Sequence, residues 1–516
     1  MELPAKVEPR SVAPAGKTLV APLSLAAFLL HIILNGRYGY FVDELYYVAC
    51  SHHLAWGYVD QPPLIAVVTW ITRLSLGDSL HALRFFPAVA AGLKVLLTGL
   101  IARELGGKRF AQALACLAVI GAPLYLGIDN LLTMNAFEPL FWMGCAYVSI
   151  LILKGGSAKL WLLFGLLAGV GLENKHSMLL FGFAFVIGLL LTPERRFLRS
   201  PWPWLGGLLA LVIFLPNLLW EIRHDFPTLE LLRNVRASGR NVSLSPVDFL
   251  LQEIVLLQPL ACPLWLAGLW YYLGSAAGKR FRVLGWTFLV ILACMLMLHG
   301  RVYYLVPAYP MLFAAGAIAF DNFAERRHWV WLKLGYVAVL VLTSVVFAPF
   351  ALPVLPVRTY IRYSQVLDYE PPRLETHRLG PLPQVYADQF GWREMAEAVA
   401  GAYNRLSPED RARCAIFGQN YGQAGAIDFF GPPMGLPKAI SGHQTYFLWG
   451  PRGYTGECVI VMADRPERLG QLFDHFEKVG TVYHPYSMPY EHFDVYLCRG
   501  LHWPLKEVWP KVKNWD

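Results

Sequence analysis

Charge is scarce in this chain. Of its 516 residues only 16% are Asp, Glu, Lys or Arg, against about 25% in ordinary soluble domains. With 56% hydrophobic residues and a mean hydropathy of +0.42, that shortage excludes a soluble globular class and fits a polytopic membrane protein. Other absences narrow the chemistry. None of the eight cysteines forms a Cys-x-x-Cys pair, so zinc-ribbon and thioredoxin-like sites have no signal. His52-His53 has no third ligand at metal spacing, and no metal is expected. Gly418-Gln-Asn-Tyr-Gly-Gln-Ala-Gly425 lacks the Walker lysine and the glycine spacing of a dinucleotide fold, which argues against a nucleotide loop. The first apolar run, from about Thr18 to Leu34, has no convincing small-residue cleavage site, so it reads as a retained span.

The charge that is present is unevenly placed. Residues 1–349 hold 27 Lys+Arg against 18 Asp+Glu, and residues 350–516 hold 17 against 18. The basic excess belongs to the membrane half. It fits anionic-lipid contact or the positive-inside bias, and no nucleic-acid partner is expected.

A span needs about 20 apolar residues. Twelve runs qualify approximately: 18–35, 61–77, 82–103, 109–127, 133–153, 159–173, 176–192, 202–220, 249–273, 282–299, 302–320 and 329–349. The short basic clusters are Arg103/Lys108/Arg109, Lys154/Lys159, Arg195/Arg196/Arg199, Lys279/Arg280/Arg282 and Arg326/Arg327. They share one side with Lys6, Arg10 and Lys17 only if run 61–77 does not cross, and eleven crossings then put every cluster inside. Run 61–77 is short, begins Gln-Pro-Pro and contains Arg73. It reads as an interfacial helix on the outer surface. The loop 35–81 and the chain from about 350 onward are then external. Arg223, Arg233, Arg236 and Arg240, together with Arg37, Arg84, Lys175 and Arg301, fall on the side that the bias disfavours. Either they meet a phosphate there, or the loop arginines pair with Glu221, Asp225 and Glu230. Lys94 lies mid-span, which is costly unless it faces a polar cavity or a carboxylate.

The tail changes pattern. Trp392–Tyr403 has helical spacing, Cys414–Phe417 and Cys458–Met462 read as strands, and Arg465–Lys478 reads as a helix. Strands near Thr481–Tyr483 and Phe493–Cys498 close the pattern. Alternating elements imply a small α/β domain with a mostly parallel sheet. Its three cysteines allow one bridge, and the sequence does not say which. The expected organisation is a membrane domain over 1–349, a Pro-rich linker over 350–382 and an extracytoplasmic α/β domain over 383–516.

The densest chemistry is in the first external loop. Asp43-Glu44 sits among Tyr38, Tyr40, Phe41, Tyr46 and Tyr47, and Asp60 precedes Gln61-Pro-Pro-Leu64. Acids and aromatics at a membrane surface make a candidate site. Asp-Glu before Tyr-Tyr, then Gly57-Tyr-x-x-Gln-Pro-Pro-Leu64, Leu80-His-Ala-Leu-Arg-Phe-Phe-Pro87 and Arg301-Val-Tyr-Tyr-Leu-Val-Pro-Ala-Tyr-Pro310 follow in order. This set resembles the GT-C glycosyltransferases of family 39, relatives of protein O-mannosyltransferases and of the aminoarabinose transferase acting on lipid A. The tail looks like the soluble domain of a bacterial branch.

The resemblance implies a multi-pass protein of the bacterial inner membrane with a periplasmic tail. Its donor would be a polyprenyl-phosphate sugar, its acceptor a cell-envelope lipid, polysaccharide or protein, with inversion at the anomeric carbon and no cofactor. Asp43 would be the base, with Glu44 and Asp129 as further acidic candidates. Tyr46, Tyr47, Asp60, Gln61, Arg84, Lys94, Glu138, Lys175, His176, Arg301, Tyr303 and Tyr304 would bind substrate. Tyr46 and Gln61 stand where relatives tend to carry basic residues, which shifts the implied phosphate contact toward Lys175 and Arg301. Asn135 stands where many relatives have Asp, so Asp129 or Glu138 would substitute. Two rivals remain from other classes: a lipid or solute transporter, which would carry an internal repeat that this sequence lacks, and a lipid-binding scaffold, which would leave Asp43 idle.

Overall fold

The computed structural model describes residues 19–373 and 375–516. Lys6, Arg10 and Lys17, counted above with the inner charges, lie outside the described residues. Each of the twelve apolar runs contains helix. Among the described residues, six helices are long and apolar enough to cross a membrane: Leu80–Glu104, Met134–Leu153, Pro201–Arg223, Lys279–Leu298, Val302–Arg326 and Val330–Phe350. Two bent pairs could raise the number to eight, and Val20–Leu34, Leu64–Leu76, Arg109–Ile120 and Leu160–Asn174 are shorter apolar helices. Run 249–273 is not one straight span. Pro246–Leu256 and Pro259–Gly274 meet at 100°, because Gln258 takes φ 76° and its amide donates to the Leu340 carbonyl at 2.7 Å. Leu64–Leu76 buries Ile65, Ala66, Thr69 and Thr72 while exposing Trp70, Ile71, Leu74 and Leu76. Arg73 is tied to the neighbouring loop through Asp78 at 2.5 Å and Ser51 at 2.9 Å.

The helices pack around a continuous apolar core from Val20 to Leu340. The segment after the last span is not bare chain. It forms the helix Val357–Leu367, whose Tyr360 is buried against Phe350 and Tyr386.

The tail is α/β, and its sheet differs from expectation. β1 (Cys414–Phe417), β2 (Cys458–Ala463), β3 (Phe473–Val482) and β4 (Phe493–Leu501) lie in the order β1-β2-β4-β3. Only β1–β2 is parallel; β2–β4 and β3–β4 are antiparallel. The helix expected over Arg465–Lys478 is a short 3-10 turn, Pro466–Gln471, followed by β3. Leu469, Leu472, Phe473 and Phe476 have helical spacing, but pairing with β4 takes the segment. Cys414 and Cys458, opposed in register on β1 and β2, form a disulfide.

The soluble domain does not stand apart from the membrane domain. Leu45, Tyr46, Tyr47 and Val48 share one buried cluster with Trp392, Met395, Val399, Ile416, Ile427, Ile460 and Val495.

Candidate active site

The helix Val42–Ser51 carries the acidic pair and follows the apolar helix Val20–Leu34. Two backbone features set it there. Tyr38 has φ 61°, and a Cβ on Gly39 would lie 1.9 Å from the Gln389 carbonyl oxygen, an approach only glycine permits. Glu44 Oε2 then accepts from Phe41 N–H at 2.8 Å, which satisfies an N-terminal donor. The same carboxylate accepts from Arg84 Nε at 2.7 Å, Arg84 Nη2 at 2.9 Å and the Leu132 N–H at 2.9 Å. Arg84 also donates to the Asn35 and Gly39 carbonyls at 2.9 and 2.8 Å. Both side chains are fully buried. Glu44, grouped by sequence with the catalytic candidates, is thus occupied on both oxygens. It joins the end of the helix Val20–Leu34 to the segment at Leu132 and so fixes its neighbour.

That neighbour, Asp43, is half-buried. Its Oδ1 accepts from the Tyr421 hydroxyl at 2.8 Å. Tyr421 belongs to the soluble domain, at the start of the helix Tyr421–Phe430. Its ring lies 4.7 Å from Tyr46 and stacks on His443 at 5.0 Å. The Gly-rich stretch explains the close approach. A Cβ on Gly422 would meet Val42 Cγ2 at 2.4 Å, and one on Gly425 would meet the Leu45 carbonyl carbon at 3.1 Å. These glycines bring one helix against another. Tyr46 donates to Asp60 Oδ1 at 2.8 Å and lies 2.7 Å from Thr445 Oγ1. Burial pushes the Asp43 carboxyl up to about 6; the Tyr421 hydrogen bond opposes this, Glu375 adds to it and Arg240 opposes it. Burial likewise pushes Asp60 up to about 7, against the Tyr46 bond and with Asp43 adding to it. Burial raises the Tyr47 hydroxyl's pKa, and Asp43, Asp60, Cys50 and Tyr303 add to it.

Those cations converge from three segments. Arg240 Nε and Arg301 Nη2 lie 3.1 and 3.2 Å from one oxygen, Glu375 Oε1. Arg301 also reaches the Tyr303 hydroxyl at 3.2 Å and Asn241 Oδ1 at 3.0 Å. Lys175 Nζ is 2.8 Å from both Glu138 Oε2 and Asn135 Oδ1, and lies 4.5 Å from the Tyr304 ring and 5.5 Å from the Tyr303 ring. Ser177 donates to the other Glu138 oxygen. Asp43, Asp60, Tyr46, Tyr47, Glu138, Lys175, Arg301, Tyr303 and Tyr304 are therefore parts of one region.

Other candidates have separate employment. Lys94 Nζ lies 2.6 and 2.8 Å from the two Asp129 oxygens, and the pair is almost wholly buried beside Tyr125. Breaking such a pair typically costs about 3–5 kcal/mol, so Asp129 is held as an internal partner. His176 Nε2 pairs with Asn217 Oδ1 at 2.9 Å. Gln61 is buried with its amide 3.7 Å from Cys50 Sγ.

Three residues at the centre carry no individual signal in the sequence: Arg240 is one of four arginines in its loop, Glu375 is an acid in a Pro-rich stretch, and Tyr421 lies inside the glycine-rich segment.

Residues 60–220 match the sequence profile of the dolichyl-phosphate-mannose-protein mannosyltransferase family. Over 196 residues the chain is 29% identical to a lipid A galacturonosyltransferase, RgtD, of Rhizobium johnstonii, covering 37% of this chain and 40% of that protein. Over 153 residues it is 30% identical to the undecaprenyl phosphate-alpha-4-amino-4-deoxy-L-arabinose arabinosyl transferase of Aeromonas hydrophila, covering 29% and 28% of the two chains. The matches thus span two fifths or less of these relatives. The crystal structure of ArnT from Cupriavidus metallidurans bound to undecaprenyl phosphate superimposes with a TM-score of 0.61 at 16% identity, covering 93% of this chain and 97% of that one. The apo form gives 0.60. The fold is the GT-C glycosyltransferase fold: a polytopic helical membrane protein with a C-terminal α/β domain.

Proposed function

We propose that this protein transfers a sugar from a polyprenyl-phosphate donor to a cell-envelope lipid acceptor, at the extracytoplasmic face of a bacterial inner membrane that it crosses eleven times, with Asp43 as general base. One observation supports the reading: Asp43, raised toward neutrality among Tyr46, Tyr47 and Tyr421 with Asp60 beside it, lies in one region with Lys175, Arg240 and Arg301. A polyprenyl phosphate leaves without protonation, so one base suffices. The acceptor hydroxyl gives its proton to Asp43 as its oxygen bonds to the anomeric carbon. The bond from that carbon to the phosphate oxygen breaks, and the lipid phosphate keeps the electron pair. Attack from the face opposite the leaving group inverts the centre. Lys175, Arg240 and Arg301 are suited to meet the charge that develops on the phosphate. The relative named as a lipid A galacturonosyltransferase supports a saccharolipid acceptor.

A base with its pKa near the working pH is better matched to proton abstraction than an ordinary Asp. With Asp43 at about 6, turnover is expected to fall as pH drops through that value, because protonation removes the base. The Tyr421 hydrogen bond favours the carboxylate form. Tyr421→Phe therefore raises the Asp43 pKa and moves the acid limb of the rate profile to higher pH. A hydrogen bond to a charged group is worth about 1.5–3 kcal/mol, and 1.36 kcal/mol is one pH unit, so the expected move is about one to two units. A limb that stays in place in Tyr421→Phe but moves in Tyr46→Phe would assign the base to Asp60.

A further inference from the structure

The cation group poses a charge problem of its own. Arg240 and Arg301 come from different segments, and their guanidinium groups would repel if nothing stood between them. What stands between them is Glu375, which is 6% exposed and whose Oε1 lies 3.1 Å from Arg240 Nε and 3.2 Å from Arg301 Nη2. Its other oxygen accepts from Gln384 Nε2 at 2.9 Å and lies 3.8 Å from His377 Nε2. Burial pushes its carboxyl up, but Arg240, Gln384 and Arg301 outweigh that and hold it below the usual carboxylate range. It is ionised.

Glu375, like Arg240, is carried by no spanning helix. It sits in the non-helical stretch between the helices Val357–Leu367 and Gln384–Ala387. Its backbone makes an isolated antiparallel bridge with Asn241, and the next residue, Thr376, donates its N–H to the Arg240 carbonyl at 2.9 Å. The carboxylate is thereby held to the two arginines by the loop that carries one of them. A carboxylate bridging two guanidinium groups presents them with the same chemistry as a phosphate oxygen bridging them.

We infer that Glu375 is a displaceable counter-ion: it occupies the arginine pair in the donor-free state, keeps both guanidinium groups oriented, and yields them to the lipid phosphate. The inference rests on the donor reading above and adds to it a residue that competes with the donor and sets its affinity. With Glu375 in place the pair has half its charge compensated. A lipid phosphate must then either displace the carboxylate or bind a weakened site, so Glu375 lowers phosphate affinity and speeds release of the lipid phosphate product. Glu375 is a positioning residue, and its removal has an unusual sign. A loss of structure weakens binding, whereas removal of a competitor strengthens it.

The test is titration of undecaprenyl phosphate into the full-length protein in nanodiscs, with wild type, Glu375→Gln, Glu375→Asp, Arg240→Ala and Arg301→Ala compared at one ionic strength. Glu375→Gln keeps size and hydrogen bonding while removing the charge. It is expected to bind undecaprenyl phosphate about tenfold more tightly than wild type, while both arginine variants bind more weakly. Glu375→Asp keeps the charge but, one methylene shorter, cannot hold both arginines at the observed distances, and it is expected to fall between wild type and Glu375→Gln. Glu375→Gln affinity equal to or below that of wild type overturns the inference. If Glu375→Gln does not fold, Glu375→Asp decides in the same way: tighter binding supports the inference, and equal or weaker binding overturns it. Wild type that does not bind undecaprenyl phosphate at all overturns the donor reading and this inference together. Wild type that binds, with arginine variants weakened but Glu375→Gln unchanged, overturns this inference alone.

Discussion

Asp43→Asn is expected to lower sugar transfer by at least two orders of magnitude while leaving protein yield and undecaprenyl phosphate affinity close to wild type. Positioned proton transfer contributes about 100- to 10,000-fold, and Asn removes it without changing size. The substituted oxygen can still accept from Tyr421 as Asp43 Oδ1 does, so the interface with the soluble domain has no reason to open. Glu44→Gln should behave differently. Its carboxylate receives four protein donors, two of them from a fully buried arginine. Loss of its charge leaves Arg84 uncompensated, and the expected effect is on stability, about 3–5 kcal/mol, with the surviving protein keeping much of its turnover. Initial rates with a labelled donor, normalised to folded protein, separate the two cases. Near-normal rates in Asp43→Asn with loss in Asp60→Asn would move the base to Asp60.

Truncation after Pro353 is expected to abolish transfer outright. The helix that carries Asp43 sends Leu45, Tyr46, Tyr47 and Val48 into a cluster with the core of the soluble domain. Full burial of each such side chain is worth roughly 1.5–3 kcal/mol, so exposing even part of this set approaches the ~5–15 kcal/mol that holds a typical domain folded. The truncated protein also loses Tyr421, Thr445 and Glu375. The expected result is a segment 35–81 that becomes protease-sensitive and a protein with no measurable transfer. Adding the soluble domain in trans is not expected to restore it. A truncated protein with full transfer to its native acceptor would show that the Asp43 helix keeps its position without the domain.

The membrane half of the fold was legible because its signal is local. Apolar runs and basic clusters mark helices with no need for distant contacts, and each run contains helix. The break at Gln258 was not legible, since it depends on a bond to Leu340 in another helix. In the tail, the spacing of Leu469, Leu472, Phe473 and Phe476 satisfies a helix as well as it does a partly exposed edge strand. Pairing with β4 decided the matter, and local pattern does not contain it. The site divides the same way. Asp43 stands out because acids and aromatics are adjacent in sequence. Tyr421 does not, because 378 residues separate it from the oxygen it binds. Glu44 and Arg84, which the resemblance makes site residues, instead pair with each other, because burial and the full set of donors depend on contacts that no local pattern contains.

The most direct measurement is product analysis with purified full-length protein in nanodiscs. It would be offered polyprenyl-phosphate galacturonate, aminoarabinose and mannose in turn, with a cell-envelope lipid extract as acceptor. One of these donors is expected to give a glycosylated lipid whose anomeric configuration, read by NMR, is opposite to that of the donor, and Asp43→Asn is expected to give none. Retained configuration, or undiminished product from Asp43→Asn, would contradict transfer by single displacement with Asp43 as base.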